Sequence, residues 1–111
     1  MFARRVTMHL KPNSVAEFTQ RLEKDVLPLL LKQKGFQDEI TFVGQSGTEA
    51  FAISLWDKAE NAEAYNRATY PEVTKILATV IDGNPQVETY DVANSTFHKI
   101  ASQNPSQPIA R

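Results

Sequence analysis

The segment Glu49–Trp56 restricts the fold more than any other part of the sequence, because it has the pattern of a β-strand that is apolar on both sides. Its alternating residues form two sets, namely Phe51, Ile53 and Leu55 on one side and Ala52, Ser54 and Trp56 on the other. A strand with apolar groups on both sides is usually packed against protein on both. We therefore expect this strand to lie inside a sheet whose two faces are both covered.

A helix is predicted directly after this strand. Asp57 stands at the N-cap position with Glu60 three residues later, which is the pattern of a capping box, and the alanine-rich segment 58–67 continues the helix. Pro71 fits a first helical position, so a further helical segment is expected to restart there. That segment carries an apolar stripe consisting of Val73, Ile76, Leu77, Val80 and Ile81. A last strand is predicted over about 86–97, which is rich in Val, Thr and Tyr.

The first half of the chain has a similar order of elements. Strands are predicted over 2–10 and 36–44, with a helix between them that begins after a second capping box at Ser14. Pro28 lies inside this helix and should kink or divide it, because proline has no N–H and its ring clashes with the preceding turn. Gly35 suits the left-handed residue beyond the helix end. In the second strand, one side is predicted to carry Phe36, Ile40 and Phe42.

The order strand, helix, two strands, helix, strand predicts an α+β fold of the ferredoxin-like βαββαβ plan. This plan has a four-stranded antiparallel sheet with helices on one face. Right-handed crossovers would place the first and third strands in the middle. We expect Ala52 and Trp56 to lie on the face without helices, together with either Val87 or Tyr90 and Val92. A second copy packed on that face would cover them, so the sequence predicts a homodimer.

Length and composition exclude several classes of function. The 111 residues suit one domain, predicted over 1–100, followed by a flexible tail over 101–111. A formal net charge of −1 gives no electrostatic reason to expect nucleic acid or membrane binding. No apolar run reaches the ~20 residues of a membrane span, and the first residues lack a signal-peptide core, so a cytoplasmic protein is expected. Without cysteine and with only two scattered histidines, no metal site is predicted.

Residues Leu55-Trp56-Asp57 and the helix up to Tyr65 resemble a motif of the antibiotic biosynthesis monooxygenase family, within the dimeric α+β barrel superfamily. The motif is a strand ending in Trp, an acidic cap, and a helix with an aromatic residue nine positions after the Trp. Pro28 and Gly35-Phe36 resemble the proline-bearing first helix of the family and its Gly-Phe exit. The resemblance covers roughly residues 2–98 and implies a ferredoxin-like domain that pairs into a dimeric α+β barrel.

The activities that this resemblance implies include cofactor-free formation of quinones and degradation of heme. Heme-degrading members use an Asn in the first strand, a Trp in the second helix and a His ten residues after it. This sequence has no Asn over 4–6, Tyr65 in the helix, and Lys75 ten residues later. The resemblance therefore favours a cofactor-independent monooxygenase, with no cofactor and no metal, that acts on a small aromatic or polyketide-like molecule.

Five residues are candidates for the site that the resemblance implies. Quinone-forming members bind a phenol and stabilise its anion with Asn, Trp, Tyr and Arg side chains, types that Trp56, Tyr65, Asn66, Arg67 and Arg4 or Arg5 supply here without a one-to-one match. We assign catalysis to Tyr65, as a hydrogen-bond donor, and to His9, as a general base. Substrate binding is assigned to Trp56, Arg5 and Tyr70. All of these residue types also occur as ordinary packed or surface residues.

A non-catalytic dimeric barrel that binds a small ligand, or serves as an interaction module, accounts for the sequence equally well, because no set of residues compels catalysis. The two hypotheses differ in what should lie between the second helical segment and the sheet. An enzyme predicts a cavity there with Tyr65 or His9 pointing into it. A solid core predicts the non-catalytic protein.

Overall fold

The computed structural model describes residues 1–96. It contains the strands β1 (Phe2–Leu10), β2 (Phe36–Val43), β3 (Glu49–Trp56) and β4 (Ile81–Asp91). Its helices are α1 (Val15–Arg21), a π-helical turn (Leu22–Val26), α2 (Leu27–Leu31), α3 (Ala59–Ala68) and α4 (Tyr70–Leu77). The predicted tail over 101–111 and the predicted end of the last strand at residue 97 lie outside the described residues. None of the helices within residues 1–96 is long and apolar enough to cross a membrane.

The four strands form one antiparallel sheet in the order β2-β3-β1-β4. This confirms the predicted α+β, ferredoxin-like plan with the first and third strands in the middle. The β2–β3 hairpin is closed by the loop 44–48, in which Gly47 has a positive φ of 79°. The loop therefore uses glycine where the backbone must adopt the left-handed region.

The strand register shows which face of the sheet the helices cover. Trp56 is directly opposite Phe2, and Ala52 is opposite Val6. Directly opposed residues of antiparallel strands lie on the same face, and Trp56 is fully buried against Tyr65 of α3. Trp56 and Ala52 therefore face the helices, and the prediction that they lie on the uncovered face is wrong.

We call the uncovered side of the sheet the open face. The apolar side chains on it are Ala3, Ile40, Phe42, Phe51, Ile53, Leu55 and Tyr90, as the register of the four strands shows. Among them Ile40 is 52%, Phe42 42% and Tyr90 45% exposed. A register shift between Phe36 and Asp38 separates Phe36 from Ile40 and Phe42. As a result Phe36 faces Trp56 on the helix side, and the predicted grouping of these three residues is wrong.

The first helical segment is divided at the predicted place. The N–H of Leu27 donates to the carbonyl of Leu22, an i to i−5 bond that defines the π-helical turn just before Pro28. Pro28 then occupies the start of α2, where the lack of an N–H costs little. Neither predicted capping box forms. The hydroxyl of Ser14 donates to the carbonyl of Pro12, and α3 begins after Lys58 without a side-chain cap.

Asp57 does not cap α3, but its hydrogen bonds link the start of this helix to the residues after the first helical segment. Its carboxylate accepts a hydrogen bond from Asn61 Nδ2 at 2.8 Å, and its N–H donates to the carbonyl of Gly35 at 2.9 Å. Gly35 has a φ of +82°, and a Cβ there would lie 2.2 Å from Asp57 Oδ1 and 2.8 Å from Asn61 Cβ. A side chain at this position would clash with Asp57 and Asn61 and strain the backbone.

Replacement of Gly35 by alanine is therefore expected to reduce the free energy of unfolding by roughly 2–5 kcal/mol, from left-handed backbone strain and a steric clash together. Gly83→Ala is the matched control, since Gly83 has a φ of +73° but no atom within 4 Å of the added Cβ. Gly83→Ala should reduce the free energy of unfolding only through left-handed backbone strain, by about 1–2 kcal/mol. Urea denaturation of both variants tests this. Equal losses would show that the close approach at Gly35 is not a constraint.

The last helix and strand differ from the prediction at their boundary. Helix α4 ends at Leu77, and β4 begins at Ile81, five residues earlier than residue 86. Val80 and Ile81 are buried, but Val80 lies in the turn before β4 and Ile81 is the first residue of β4, so neither is part of the helix. His9 pairs with Asp82 and Thr7 with Gln86, so between these pairs β4 has three residues where β1 has one, and this irregularity accommodates Gly83 and Pro85 within the strand. The strand ends at Asp91.

Candidate functional site

A cavity lies between the helices and the helix-facing side of the sheet, with a volume of about 50 Å³. Its wall is mostly apolar, with Val6, Met8, Leu22, Val26, Leu30, Val73 and Leu77 among its residues. Two of these, Leu22 and Val26, come from the π-helical turn, a local irregularity that often occurs at functional sites. The volume is enough for a few water molecules, so a ring-sized ligand needs some movement of the walls. Within residues 1–96, four polar or titratable side chains reach this cavity besides Ser54 and Thr74, namely Arg4, Glu39, Tyr65 and Tyr70.

Arg4, in the middle of β1, is the cation of the cavity. Only 4% of its surface is exposed. Its Nη2 donates to Asn66 Oδ1 at 2.7 Å, and its guanidinium carbon lies 4.1 Å from the centre of the Tyr70 ring and 5.3 Å from that of Tyr65. No ion pair with a carboxylate is present for Arg4 within residues 1–96. A buried cation that contacts aromatic faces, one amide and the Tyr70 hydroxyl, without an ion pair among the described residues, favours binding of an anion.

The two tyrosines beside Arg4 keep their protons. Burial raises the pKa of Tyr65 to about 12, although the charge of Arg4 opposes the shift. Burial also raises the pKa of Tyr70 above its usual value, again against the charge of Arg4. The ring centres of Tyr65 and Tyr70 are 6.2 Å apart. Both phenols therefore act as neutral hydrogen-bond donors at physiological pH and not as bases.

A polar row crosses the sheet at the floor of the cavity. Arg4 of β1 is directly opposite Ser54 of β3, which is in turn opposite Glu39 of β2. The indole N–H of Trp56 donates to Ser54 Oγ at 2.9 Å. Glu39 accepts a hydrogen bond from the hydroxyl of Thr41, and burial raises the pKa of Glu39 above its usual value. The row thus has a cation at one end, a hydroxyl in the middle and a carboxyl group at the other end.

The predicted site residues divide between the two faces of the sheet. Tyr65 and Tyr70 line the cavity, and Trp56 packs against Tyr65 with a ring-centre distance of 5.2 Å without lining it. Arg5 and His9 lie on the open face, away from the cavity. The Arg5 guanidinium carbon is 5.0 Å from the centre of the Phe51 ring, and exposed His9 has Glu49 at 3.9 Å. Their assigned roles in binding and catalysis remain predictions.

Three cavity residues, Arg4, Ser54 and Glu39, were not assigned to the site from the sequence. The alternation of residues in β1 could have indicated that Arg4 is buried. Arg4 shares a side of the strand with Val6, Met8 and Leu10, whereas Arg5 lies on the other side. An arginine on the most apolar side of a strand is the one that becomes buried. Glu39 had no comparable pattern, because the register shift near residue 37 changes the side on which it lies.

The arrangement can bind a small ring that carries an acidic hydroxyl group. Aromatic and aliphatic walls would contact the ring, Arg4 would hold a negative oxygen, and the Tyr65 and Tyr70 hydroxyl groups would donate to oxygen atoms. No group of three or more His, Asp or Glu side chains that could hold a metal ion is present within residues 1–96.

Comparison with known proteins gives similarity in structure but not in sequence. No protein-family model matches the sequence, and no curated protein matches it significantly. A monooxygenase from the gene ActVA-Orf6 of Streptomyces coelicolor, solved with the ligand nanaomycin D, has a TM-score of 0.73 at 15% identity. That alignment covers 85% of this chain and 88% of the other.

Two further solved structures have the same fold. SnoaB, a cofactor-independent oxygenase from Streptomyces nogalater, has a TM-score of 0.71 at 9% identity, covering 86% of this chain and 95% of its own. A protein from Bordetella bronchiseptica, provisionally described as an antibiotic biosynthesis monooxygenase, has a TM-score of 0.71 at 15% identity, covering 83% and 96%. The resemblance to antibiotic biosynthesis monooxygenases is thus confirmed at the level of the fold.

Proposed function

We propose that this chain, which has the fold of the antibiotic biosynthesis monooxygenases, is a cytoplasmic, cofactor-independent monooxygenase acting on a small aromatic or polyketide-like molecule. The observation that supports this best is the buried guanidinium of Arg4, held against Tyr65 and Tyr70 with no carboxylate partner among residues 1–96. Such a group stabilises an oxygen anion on a ring. Oxygenation without a flavin or metal requires a substrate that becomes electron-rich on losing a proton.

The reaction we propose converts a ring methylene group of the anthrone type to a carbonyl group. The substrate loses a hydroxyl or ring proton, and the resulting anion gives electrons to O₂. One oxygen atom of O₂ becomes the carbonyl oxygen and the other leaves in water with the two methylene hydrogens. The carbon loses four electrons and O₂ gains four, so no other oxidant or reductant is needed. Arg4 holds the anion, and the neutral hydroxyl groups of Tyr65 and Tyr70 orient it.

Oxygen uptake tests this function directly. The purified protein is mixed with a panel of hydroxyanthrones and catechols, and the rate is compared with the rate without protein. We expect at least one compound to be oxidised faster, with quinone formation matching oxygen consumption. A panel that binds but is consumed only at the background rate would support the alternative, a non-catalytic barrel that binds a small ligand at this site. Because the cavity of about 50 Å³ must widen to admit even one ring, the smallest compounds of the panel are tested first.

We also propose that the chain forms a homodimer through the open face. Phe42 and Phe51 stack on this face with their ring centres 4.7 Å apart, beside exposed Ile40. The Nε atom of Arg5 is buried there and has no hydrogen-bond partner within residues 1–96. A second copy would cover the apolar side chains and offer acceptors to Arg5, which satisfies both features at once.

Ile53→Glu is expected to separate the dimer, because Ile53 lies in the middle of the open face between Ile40 and Arg5. A central interface residue is worth about 2 kcal/mol, so the dissociation constant should rise by roughly 30-fold or more. Leu31→Glu on α2 is the control, since Leu31 is exposed but lies on the helix side. Sedimentation at micromolar concentration gives the result. A wild-type species of 12.5 kDa would contradict the dimer.

A further inference from the structure

The polar row at the cavity floor has a carboxyl group that the proposed function does not yet use. Glu39 and Arg4 lie on either side of Ser54, two strands apart. This puts their Cα atoms roughly 10 Å apart, twice the spacing of neighbouring strands. Both side chains line the same cavity. A single ring can therefore lie over Ser54 with one edge toward Arg4 and the other toward Glu39.

Among the described residues, Glu39 is also the one group in the cavity wall that can take up a proton. The titratable residues of that wall within residues 1–96 are Arg4 from β1, Glu39 from β2, Tyr65 from α3 and Tyr70 from α4. Arg4 is a cation, and the tyrosines hold their protons, since the pKa of Tyr65 is about 12 and that of Tyr70 is raised. From the π-helical turn and α2 only apolar side chains, those of Leu22, Val26 and Leu30, reach the cavity.

The surroundings of Glu39 suit an exchange of protons with solvent. Its carboxylate accepts a hydrogen bond from the Thr41 hydroxyl, which keeps it oriented. On its other side Glu39 borders a surface depression lined by Leu27, Leu31 and Gln37. A proton taken from a ligand in the cavity can thus leave to water without crossing the core. The desolvation that raises the pKa of Glu39 also makes the carboxylate a stronger base than one in water.

We propose that Glu39 is the general base of this site, which takes the proton from a ring hydroxyl of the substrate while Arg4 holds the anion that forms. This inference rests on the proposed function and names the group that removes the first proton in the proposed reaction. The ring O–H bond breaks, its electron pair stays on the ring oxygen, and the proton passes to a carboxylate oxygen of Glu39.

The test uses 4-nitrophenol, whose anion absorbs visible light and whose neutral form does not. Because this measures binding and ionisation, it does not require turnover of a substrate. The probe is added to the full chain at a pH where it is mostly neutral in water. The wild type should bind it with the anion band present. The wild type should release no proton to the buffer as the band forms, because the carboxylate of Glu39 keeps it. Glu39→Gln should bind the probe within about threefold of the wild-type affinity, and any anion band should then be matched by release of one proton per probe to the buffer. The control Glu49→Gln, on the open face, should behave as the wild type.

The outcomes separate the two proposals. If the wild type binds the probe without the anion band, or releases a proton to the buffer as Glu39→Gln does, Glu39 is not the base, whereas the proposed function stands. If Glu39→Gln no longer binds the probe but melts normally, Glu39 serves binding and the inference is overturned. If the wild type does not bind the probe, both proposals lose their site. With a turned-over substrate, Glu39→Gln should lower kcat by at least roughly 100-fold at a nearly unchanged KM.

Discussion

Replacement of Arg4 by methionine is expected to lower kcat/KM by roughly 10²–10³-fold, the loss typical of removing one donor to a developing oxyanion. The protein should nevertheless stay folded. Arg4 has no carboxylate partner among residues 1–96 that would be left behind, and Asn66, its hydrogen-bond partner, is exposed and can bind water instead. The change to Met also removes the cost of keeping an unpaired charge out of water, which offsets the contacts that are lost. Steady-state kinetics and urea denaturation of the same preparation measure both effects.

Arg5→Met is the matched control for this prediction, because it removes the neighbouring guanidinium from the opposite face of the sheet. It should leave kcat/KM within a few-fold of the wild type as long as the protein remains in its native oligomeric state. Arg4→Lys should recover only part of the lost activity, since an ammonium group keeps the charge but cannot stack on two rings as guanidinium does. If Arg5→Met were the more damaging of the two methionine variants, the site would lie on the open face.

Replacement of Trp56 by alanine is expected to reduce the free energy of unfolding by about 3–5 kcal/mol. Trp56 is fully buried, and its ring lies 5.6 Å from that of Phe36 and 5.2 Å from that of Tyr65. Its removal leaves a void where β2, β3 and α3 meet. For a domain of this size such a loss is a large part of the total stability. Chemical denaturation monitored by circular dichroism measures the change.

Trp56→Phe is the control for the size of the ring. It keeps an aromatic group in the core but removes the N–H that donates to Ser54 Oγ. The expected loss is smaller, about 1–3 kcal/mol, from the smaller side chain and the lost hydrogen bond. A Trp56→Ala variant as stable as Trp56→Phe would mean that Trp56 is not a core residue, and would favour its assignment to a surface or ligand contact.

The sequence was sufficient for the elements and their order, and insufficient for the side on which the helices lie. In β3 both sides are apolar, so the pattern of this strand alone does not distinguish them. The distinction came from β1, where Phe2, Val6 and Met8 share a side, and from its pairing with β3, which brings Phe2 opposite Trp56. Pairing register is a tertiary property that a single strand does not encode.

The same limit explains which of the predicted site residues line the cavity. Tyr65 belongs to the motif on the helix after β3, Tyr70 lies beside the helix-starting Pro71, and the structure brings both to the cavity. To choose correctly between Arg4 and Arg5, one must know which side of β1 faces the helices. The side of β2 on which Glu39 lies depends on the register shift near residue 37, and no residue type in the sequence indicates that shift. Local signals thus predicted helix residues better than strand residues.

The capping boxes failed for a local physical reason. Asp57 has the right spacing to Glu60, yet its Oδ1 atom accepts a hydrogen bond from Asn61, and its N–H donates to Gly35 in the contact that joins the end of β3 to the loop before β2. A carboxylate directed at a side chain further along the helix does not reach the first N–H groups of the helix with good geometry, and no side-chain cap forms.

A crystal structure of the protein with a bound hydroxyaromatic compound tests the central claim most directly, since that claim is that the cavity beneath α3 and α4 holds a ring anion on Arg4. We expect the ring between Tyr70 and the cavity floor, with one ring oxygen within hydrogen-bond distance of the Arg4 guanidinium and another hydroxyl toward Glu39. A ligand found on the open face beside His9 and Arg5, with the cavity unchanged, would contradict the claim.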